Sequence, residues 1–362
     1  MTSLFENALS GRNHAGRPPI WLMRQAGRYM PSYRQLRSTH TIKQMFKTPA
    51  LIDQVTRMPI DQLGVDAAIL FSDILIVYEC LGIEWDFVEK QGPVIQRLEN
   101  PGHIDSLKNR PVEEALFFVK EGIESLVSDI KIPLIGFCGG PFTVASYMIE
   151  GGSSKELSKT KKWLYSHPED FHKLLDKITS LSCDYIKMQE KAGVKAIQLF
   201  DSWAGLLGPE DFAEFSLKYL KRLQSSVSVP VILFCRGSSH YYKEMATIKP
   251  TGISLDWQAN LNAVRRDLGP SMVLQGNLDP AVLYAPQSVI KTKVQFILND
   301  FQNDPSFIFN LGHGVMPDIP LENVQYLVRL IQESATHNTI GSYDNNASGS
   351  STGMASSRAY QV

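Results

Sequence analysis

A single (β/α)8 barrel, or TIM barrel, is the fold class predicted by this sequence of 362 residues. Three observations carry the prediction. Eight apolar runs of strand length recur along the chain. Stretches of helical patterning separate them, and Pro often stands where a first helical turn would open, at Pro49, Pro111, Pro168, Pro209 and Pro320. A barrel of this kind typically needs about 250 residues, so the chain can close one with room for insertions. A doubly wound open sheet is the structural alternative, but its usual G-x-G-x-x-G between a first strand and helix is missing.

The strands are expected in order at PIWLMR (19–24), AAILFSD (67–73), PLIGFCG (133–139), AIQLFDS (196–202), VILFCR (231–236), GISLDW (252–257), MVLQGN (272–277) and FIFNLG (307–312). Near-continuous apolar runs suit parallel strands covered on both faces. After the second run, YECLGIEWDFVEKQGPVIQRL (78–98) alternates apolar and polar residues around Gln91-Gly92, which predicts an inserted hairpin. Residues 1–337 are therefore expected to form the barrel domain. Beyond them, 338–362 are poor in aliphatic residues and rich in Ser, Gly and Asn, and are expected to be a disordered tail.

With 43% hydrophobic and 20% charged residues the composition is that of an ordinary globular chain. The formal net charge is only -1, from 36 basic and 37 acidic residues, which argues against nucleic acid as partner. The charge is nevertheless uneven. Between Glu6 and Asp53 there is no Asp or Glu, while Arg12, Arg17, Arg24, Arg28, Arg34, Arg37, Lys43 and Lys47 accumulate. A local excess of this kind points to a compact anion. Cys80, Cys138, Cys183 and Cys235 show no paired spacing, so neither a disulfide framework nor a zinc ribbon is signalled. No export signal and no membrane-length apolar run is visible, so a reducing, cytoplasmic setting is expected, with no membrane partner.

In a barrel the site sits at the C-terminal strand ends, which here carry Arg24, Asp73, Ser202, Arg236, Asp256, Asn277 and His313, with Arg28 and Tyr147 added by loops. Cations and donors outnumber carboxylates, and Arg offers a planar fork that grips carboxylates or phosphates in a bidentate way. Each residue also has a structural reading. The arginines could form a solvated face, Asp73 an N-cap, His313 part of a tight turn and Ser202 a cap. No G-x-x-x-x-G-K-[ST], H-E-x-x-H, G-x-S-x-G or paired-cysteine site occurs, so no metal or organic cofactor is called for.

Two of these stretches, PIWLMRQAGRYMPSYR and GFCGGPFTVASYMIEGG, resemble the signature segments of the uroporphyrinogen decarboxylase family. FSDIL, QLFDSWAG and FNLGHGVMPD match further family stretches, and the resemblance runs from about residue 5 to about 335. It implies a cofactor-independent barrel enzyme of haem and chlorophyll biosynthesis, usually a homodimer with facing clefts. Such an enzyme converts the four acetates of uroporphyrinogen III to methyl groups, giving coproporphyrinogen III. By the matched motifs, Arg24, Gln25, Ala26, Gly27 and Arg28 would contact substrate carboxylates and shape the floor. Tyr147, Ser202 and His313 would contact other side chains of the macrocycle. Asp73 would sit at the centre and stabilise the transition state, with Arg24 and Arg28 as catalytic partners, while the proton donor stays open between Arg24, Arg28, Tyr147 and water.

Two rivals are weighed against this reading. Zinc- and cobalamin-linked methyltransferases of the same superfamily place His-x-Cys at the end of the fifth strand and Cys after the eighth. Here those places read Leu233-Phe234-Cys235 and His313, which disfavours zinc. A non-catalytic tetrapyrrole-binding protein would keep the arginines but have no need of Asp73.

Overall fold

The computed structural model describes residues 2–88 and 92–337. Its strands are β1 (Ala68–Ile69), β2 (Trp85–Val88), β3 (Gly92–Ile95), β4 (Leu134–Gly139), β5 (Ala196–Phe200), β6 (Val231–Phe234), β7 (Gly252–Ser254), β8 (Val273–Leu278) and β9 (Phe307–Leu311). Seven of them form one sheet in the order β1-β4-β5-β6-β7-β8-β9, every neighbouring pair parallel. The chain around Ile20 completes the ring. It bridges in parallel to Phe309 on one side, and its carbonyl accepts from Asp66 N (2.8 Å) on the other. The expected barrel is thus present, but its first strand is shortened from the 19–24 run to a single bridge. Pro18 and Pro19 bring no N–H to a ladder, and the chain then turns, with Gln25 N donating to Leu22 O.

Strand parity sorts the side chains into layers. At the N-terminal end of the barrel, inward-facing Ile135, Ala196, Ile232, Val273 and Ile308 meet Trp21, Met23 and Ala67. Phe5, Ala8 and Leu9 of the Leu4–Leu9 helix join this cluster and plug that end. A capping box between Ser3 and Glu6 fixes the start of the plug. One layer higher the inward residues are polar. Gln275 accepts from Trp21 Nε1 (2.9 Å) and donates to Gln198 Oε1 (3.0 Å) and Ser254 Oγ (2.9 Å), with all four side chains buried. Because the group is satisfied internally it is tolerated in the core, whereas removing one member would strand a buried donor at about 1–3 kcal/mol. The top layer is aromatic: Phe137 and Phe200 lie 5.8 Å apart, and Phe200 and Phe234 5.9 Å.

Outward-facing Leu134, Ile197, Leu199, Leu233, Ile253 and Phe309 pack beneath the surrounding helices. Pro49, Pro168 and Pro209 open helices as expected; Pro111 stands one place earlier, as N-cap of Val112–Ala115, and Pro320 directly precedes Leu321–His337. The longest helix, Pro168–Ala192, has Glu169 and Asp170 in its first turn and Lys191 in its last, matching the helix dipole. β2 and β3 form the expected hairpin, with Trp85 opposite Ile95 and Val88 opposite Gly92. Its turn, including Gln91, lies outside the described residues, as does the predicted tail 338–362.

Candidate active site at the mouth of the barrel

The basic N-terminal tract separates into two groups once its partners are assigned. Arg17 pairs with Asp66 through two hydrogen bonds (2.7 and 2.8 Å), and Lys47 reaches Glu79 at 2.7 Å. Lys43 donates to Trp85 O (2.6 Å) and holds the hairpin. Arg34 donates to the carbonyls of Arg28 (2.8 Å) and Tyr29 (3.1 Å), while Arg37 bonds the His40 carbonyl. These side chains are structural. Arg24 and Arg28 differ: both are exposed, and neither guanidinium has a hydrogen bond or ion pair among the described residues.

Arg24 ends the first barrel segment in a left-handed conformation, φ 57. For a residue with a Cβ this costs of order 1–3 kcal/mol, the kind of strain that persists where surroundings impose it. Met23 on its N-terminal side is tied by N to Asn310 Oδ1 (3.0 Å) and by O to Val315 N (2.9 Å). Gly314 leaves the room for the side chain, since a Cβ there would lie 2.4 Å from Arg24 Cδ. Gln25 is buried and its amide is used on the backbone, accepting from Leu22 N (3.1 Å) and donating to Ala67 O (3.3 Å). Its side chain therefore shapes the turn from beneath. Ala26 and Gly27 are half-buried on that turn, and a Cβ on Gly27 would meet only ordinary contacts at 3.5 Å or more.

Asp73 follows β1. Its Oδ1 accepts from Leu75 N (2.9 Å), closing an Asx turn that occupies one oxygen only; the next helix, Tyr78–Leu81, has Val77 at its N-cap, so the helix-capping role expected of Asp73 is not the one it plays. Oδ2 has no hydrogen bond among the described residues. Burial raises the carboxyl to a pKa of about 6; the Leu75 N–H and the charge of Arg24 pull it down without overcoming burial. The carboxylate at neutral pH is thus ionised and short of donors.

Tyr147 projects from the Pro141–Glu150 helix and stacks on Trp203, centroids 3.8 Å apart. Its phenol is raised first by burial and then by the charge of Asp73. The two rings are set by Asp201, a buried carboxylate that accepts from Thr143 N (2.9 Å), Thr143 Oγ (2.6 Å) and Ser216 Oγ (2.5 Å); Thr143 Oγ in turn accepts from Trp203 N (3.0 Å). Ser202 lies in this loop, half-buried. His313, beyond β9, sits edge-on to Phe234 at 6.0 Å. Burial, then the positive charges of Arg24 and Arg236, lower its pKa to about 4, so it is neutral at pH 7.

Arg24, Asp73, Tyr147 and His313 are thereby brought within one electrostatic neighbourhood. Arg28 stands nearby, acting on Tyr33 together with Asp73. Asp256 and Asn277 are turned inward instead. Asp256 accepts from Gly237 N and Gln258 N, and Asn277 donates to the carbonyls of Asp256 and Ala259. The sequence reading overlooked Trp203, Asp201 and the aromatic layer of Phe137, Phe200 and Phe234. Inward parity within β4 and at the last positions of β5 and β6 would have marked the phenylalanines. No residue pattern marked the stacked pair.

The mouth thus has an apolar aromatic floor, one half-satisfied carboxylate, a neutral imidazole and unpaired guanidinium groups on its rim. Fold and site together define a (β/α)8-barrel protein whose mouth joins aromatic rings, a buried carboxylate and free guanidinium groups. Comparison gives the particular family. Residues 2–334 match the uroporphyrinogen decarboxylase (URO-D) family, and the chain belongs to that family. It is 47% identical over 329 residues to the uroporphyrinogen decarboxylase of Protochlamydia amoebophila, covering 90% of each chain. The Pelobacter propionicus enzyme of the same name is 42% identical, over 92% of this chain and 98% of that one. Among solved structures, a methyltransferase from Methanosarcina mazei superposes with TM-score 0.74 at 21% identity, over 92% of this chain and 99% of that one. At that identity the likeness concerns the fold. Cys235, at the place where the methyltransferase reading needs a thiolate, is buried, bonds Arg236 O, and has its pKa raised well above the thiol range by burial. Among the described residues no group of three His, Cys, Asp or Glu is placed to hold a metal ion, and no helix is long and apolar enough to cross a membrane.

Proposed function

We propose that this chain decarboxylates the four acetate side chains of uroporphyrinogen III to methyl groups, giving coproporphyrinogen III, with residues 1–337 as the catalytic unit. The observation that carries the reading is Asp73. A carboxylate raised by burial, with one oxygen bonded to a single backbone N–H, gains most from a ligand that brings several N–H donors at once. A tetrapyrrole brings four. The aromatic floor matches its apolar face, and the unpaired Arg24 and Arg28 match carboxylates on its rim.

The reaction needs an electron sink, which the substrate supplies. Protonation of the ring carbon beside the acetate-bearing carbon turns the pyrrole into a cationic iminium. The bond from the acetate methylene to its carboxylate then breaks, carbon dioxide leaves, and the electron pair enters the iminium. A proton delivered to the exocyclic methylene makes the methyl group, and loss of the first proton restores the pyrrole. The net change consumes one proton per acetate. Ionised Asp73 lies where the positive charge develops and stabilises it, an electrostatic role of sign opposite to an oxyanion hole. Neutral His313 and Tyr147 can donate hydrogen bonds to carboxylates, Ser202 adds a hydroxyl, and the turn Gln25-Ala26-Gly27 presents backbone beside the two arginines. The first proton comes from Arg24, Arg28, Tyr147 or water. A homodimer in the cytoplasm, serving haem or chlorophyll synthesis, completes the reading and rests on family membership.

The test is anaerobic incubation of the purified protein with uroporphyrinogen III, no cofactor added, counting carboxylates lost by mass. Loss of four supports the proposal. Binding without loss would leave a tetrapyrrole carrier, and methyl transfer dependent on zinc and cobalamin would favour the other branch of the superfamily.

A further inference from the structure

Arg236 stands two residues past the end of β6, and around the ring β6 is the fifth barrel segment counted from the one that carries Arg24. In an eight-membered ring the fifth segment stands opposite the first. Arg236 is exposed, and its guanidinium has no hydrogen bond or ion pair among the described residues; its carbon lies 5.8 Å from the Trp257 ring centroid. The neighbouring carboxylate, Asp256, is buried and accepts from the backbone at Gly237 and Gln258. The Arg236 carbonyl is anchored by the Cys235 thiol, which leaves the side chain as the free part of the residue. Arg236 also acts with Arg24 on His313, so both charges reach the same point of the mouth.

Resting on the decarboxylase reading, we propose that Arg236 is a third substrate-binding guanidinium, which holds rim carboxylates of the macrocycle on the side facing Arg24 and Arg28. A ligand whose carboxylates lie all round its edge is poorly held by cations on one side. The Trp257 ring lies against the guanidinium, whose N–H groups have no protein acceptor among the described residues and are available to an anion. Arg236 remains engaged as acetates are lost, because the propionates persist through every step. It is a positioning residue and takes no part in the bond changes.

The test compares wild type, Arg236→Gln and Arg236→Lys by steady-state decarboxylation of uroporphyrinogen III and by thermal melting. Expected for Gln is a rise in KM of roughly tenfold, the loss of a charge-assisted contact at a partly solvated site, with kcat changed less than about threefold. Lys should recover part of the KM, and melting temperatures should agree within a degree or two. An unchanged KM in an active wild-type background overturns the inference and leaves the decarboxylase reading standing. A lowered melting temperature with unchanged KM assigns Arg236 to packing on Trp257 and overturns it too. A wild-type protein that releases no carbon dioxide removes both.

Discussion

Asp73→Asn should make the protein more stable and nearly inactive, and both changes should depend on pH in a way fixed by one carboxyl group. The folded-state pKa of about 6 stands above the usual 3.8, with burial as the cause. Between those values the folded chain holds a proton that the unfolded chain has lost, so wild-type stability falls as pH rises from about 4 to about 6 and is level above. A shift of roughly two units corresponds to at most about 3 kcal/mol, and the half-buried position at the mouth reduces this to about 1–2 kcal/mol. Asn can still accept the Leu75 N–H, so the turn is kept while the cost of the charge is removed. Melting measured from pH 4 to 8 should therefore give curves that converge toward the acid end, separate between pH 4 and 6 and run parallel above, the variant higher there by about 2–5 °C. In the same series wild-type kcat/KM should fall below about pH 6, as the free enzyme takes up a proton. His313, near 4, titrates too low to account for that limb. The variant should lose roughly 10² to 10³ in kcat, about 3–4 kcal/mol for one preorganised electrostatic contact. Stability curves parallel over the whole range, or an Asn variant with normal turnover, would refute the assignment of a strained charge to catalysis.

Other expectations follow from individual contacts. Arg28→Lys keeps the charge but loses the fork, so KM should rise several-fold, and an unchanged value would make Arg28 a solvated surface residue. Gly27→Ala should leave the melting temperature unaltered, because its Cβ meets nothing closer than 3.5 Å, while KM rises if substrate lies against that turn. Gly314→Ala places a methyl 2.4 Å from Arg24 Cδ and should displace that side chain, lowering kcat/KM at least about tenfold with modest loss of stability; normal kinetics would show that Arg24 has another productive position.

Much of the fold could be read because buried parallel strands announce themselves as apolar runs. Seven of the eight runs contain sheet strands, and the hairpin lies inside the predicted stretch. The 19–24 run failed as a strand because a ring needs only enough pairing there to close, and two prolines and the Arg24 turn limit it to Ile20. The polar layer of Gln198, Ser254 and Gln275 was hidden for the opposite reason: single polar residues within apolar runs look like imperfections until their mutual bonds are seen. In the site, Arg24, Asp73 and His313 were legible from their places at strand ends. That Arg34 and Arg37 bind carbonyls while Arg24 and Arg28 stay free was not, since charge pattern does not say where a side chain finds acceptors. Gln25 belonged to the matched motif, yet its amide serves the turn from below.

The ring closes between the two ends of the chain. Ile20 meets Phe309, Met23 is held by Asn310 and Val315, and Gln302 donates to Gly16 O (3.0 Å). Arg24 and His313 stand on either side of this seam. A nascent chain therefore has no complete mouth until nearly all of it has left the ribosome, and the contacts that finish the barrel are those of greatest sequence separation, the slowest to form. Reactivity toward a macrocycle arises in the same event as closure, so an incompletely made copy has neither the full rim of cations nor the centre they surround. Cutting the chain between Gly16 and Arg24, or between Gln302 and Val315, would open the seam and abolish activity, although most helices and strands would remain chemically intact.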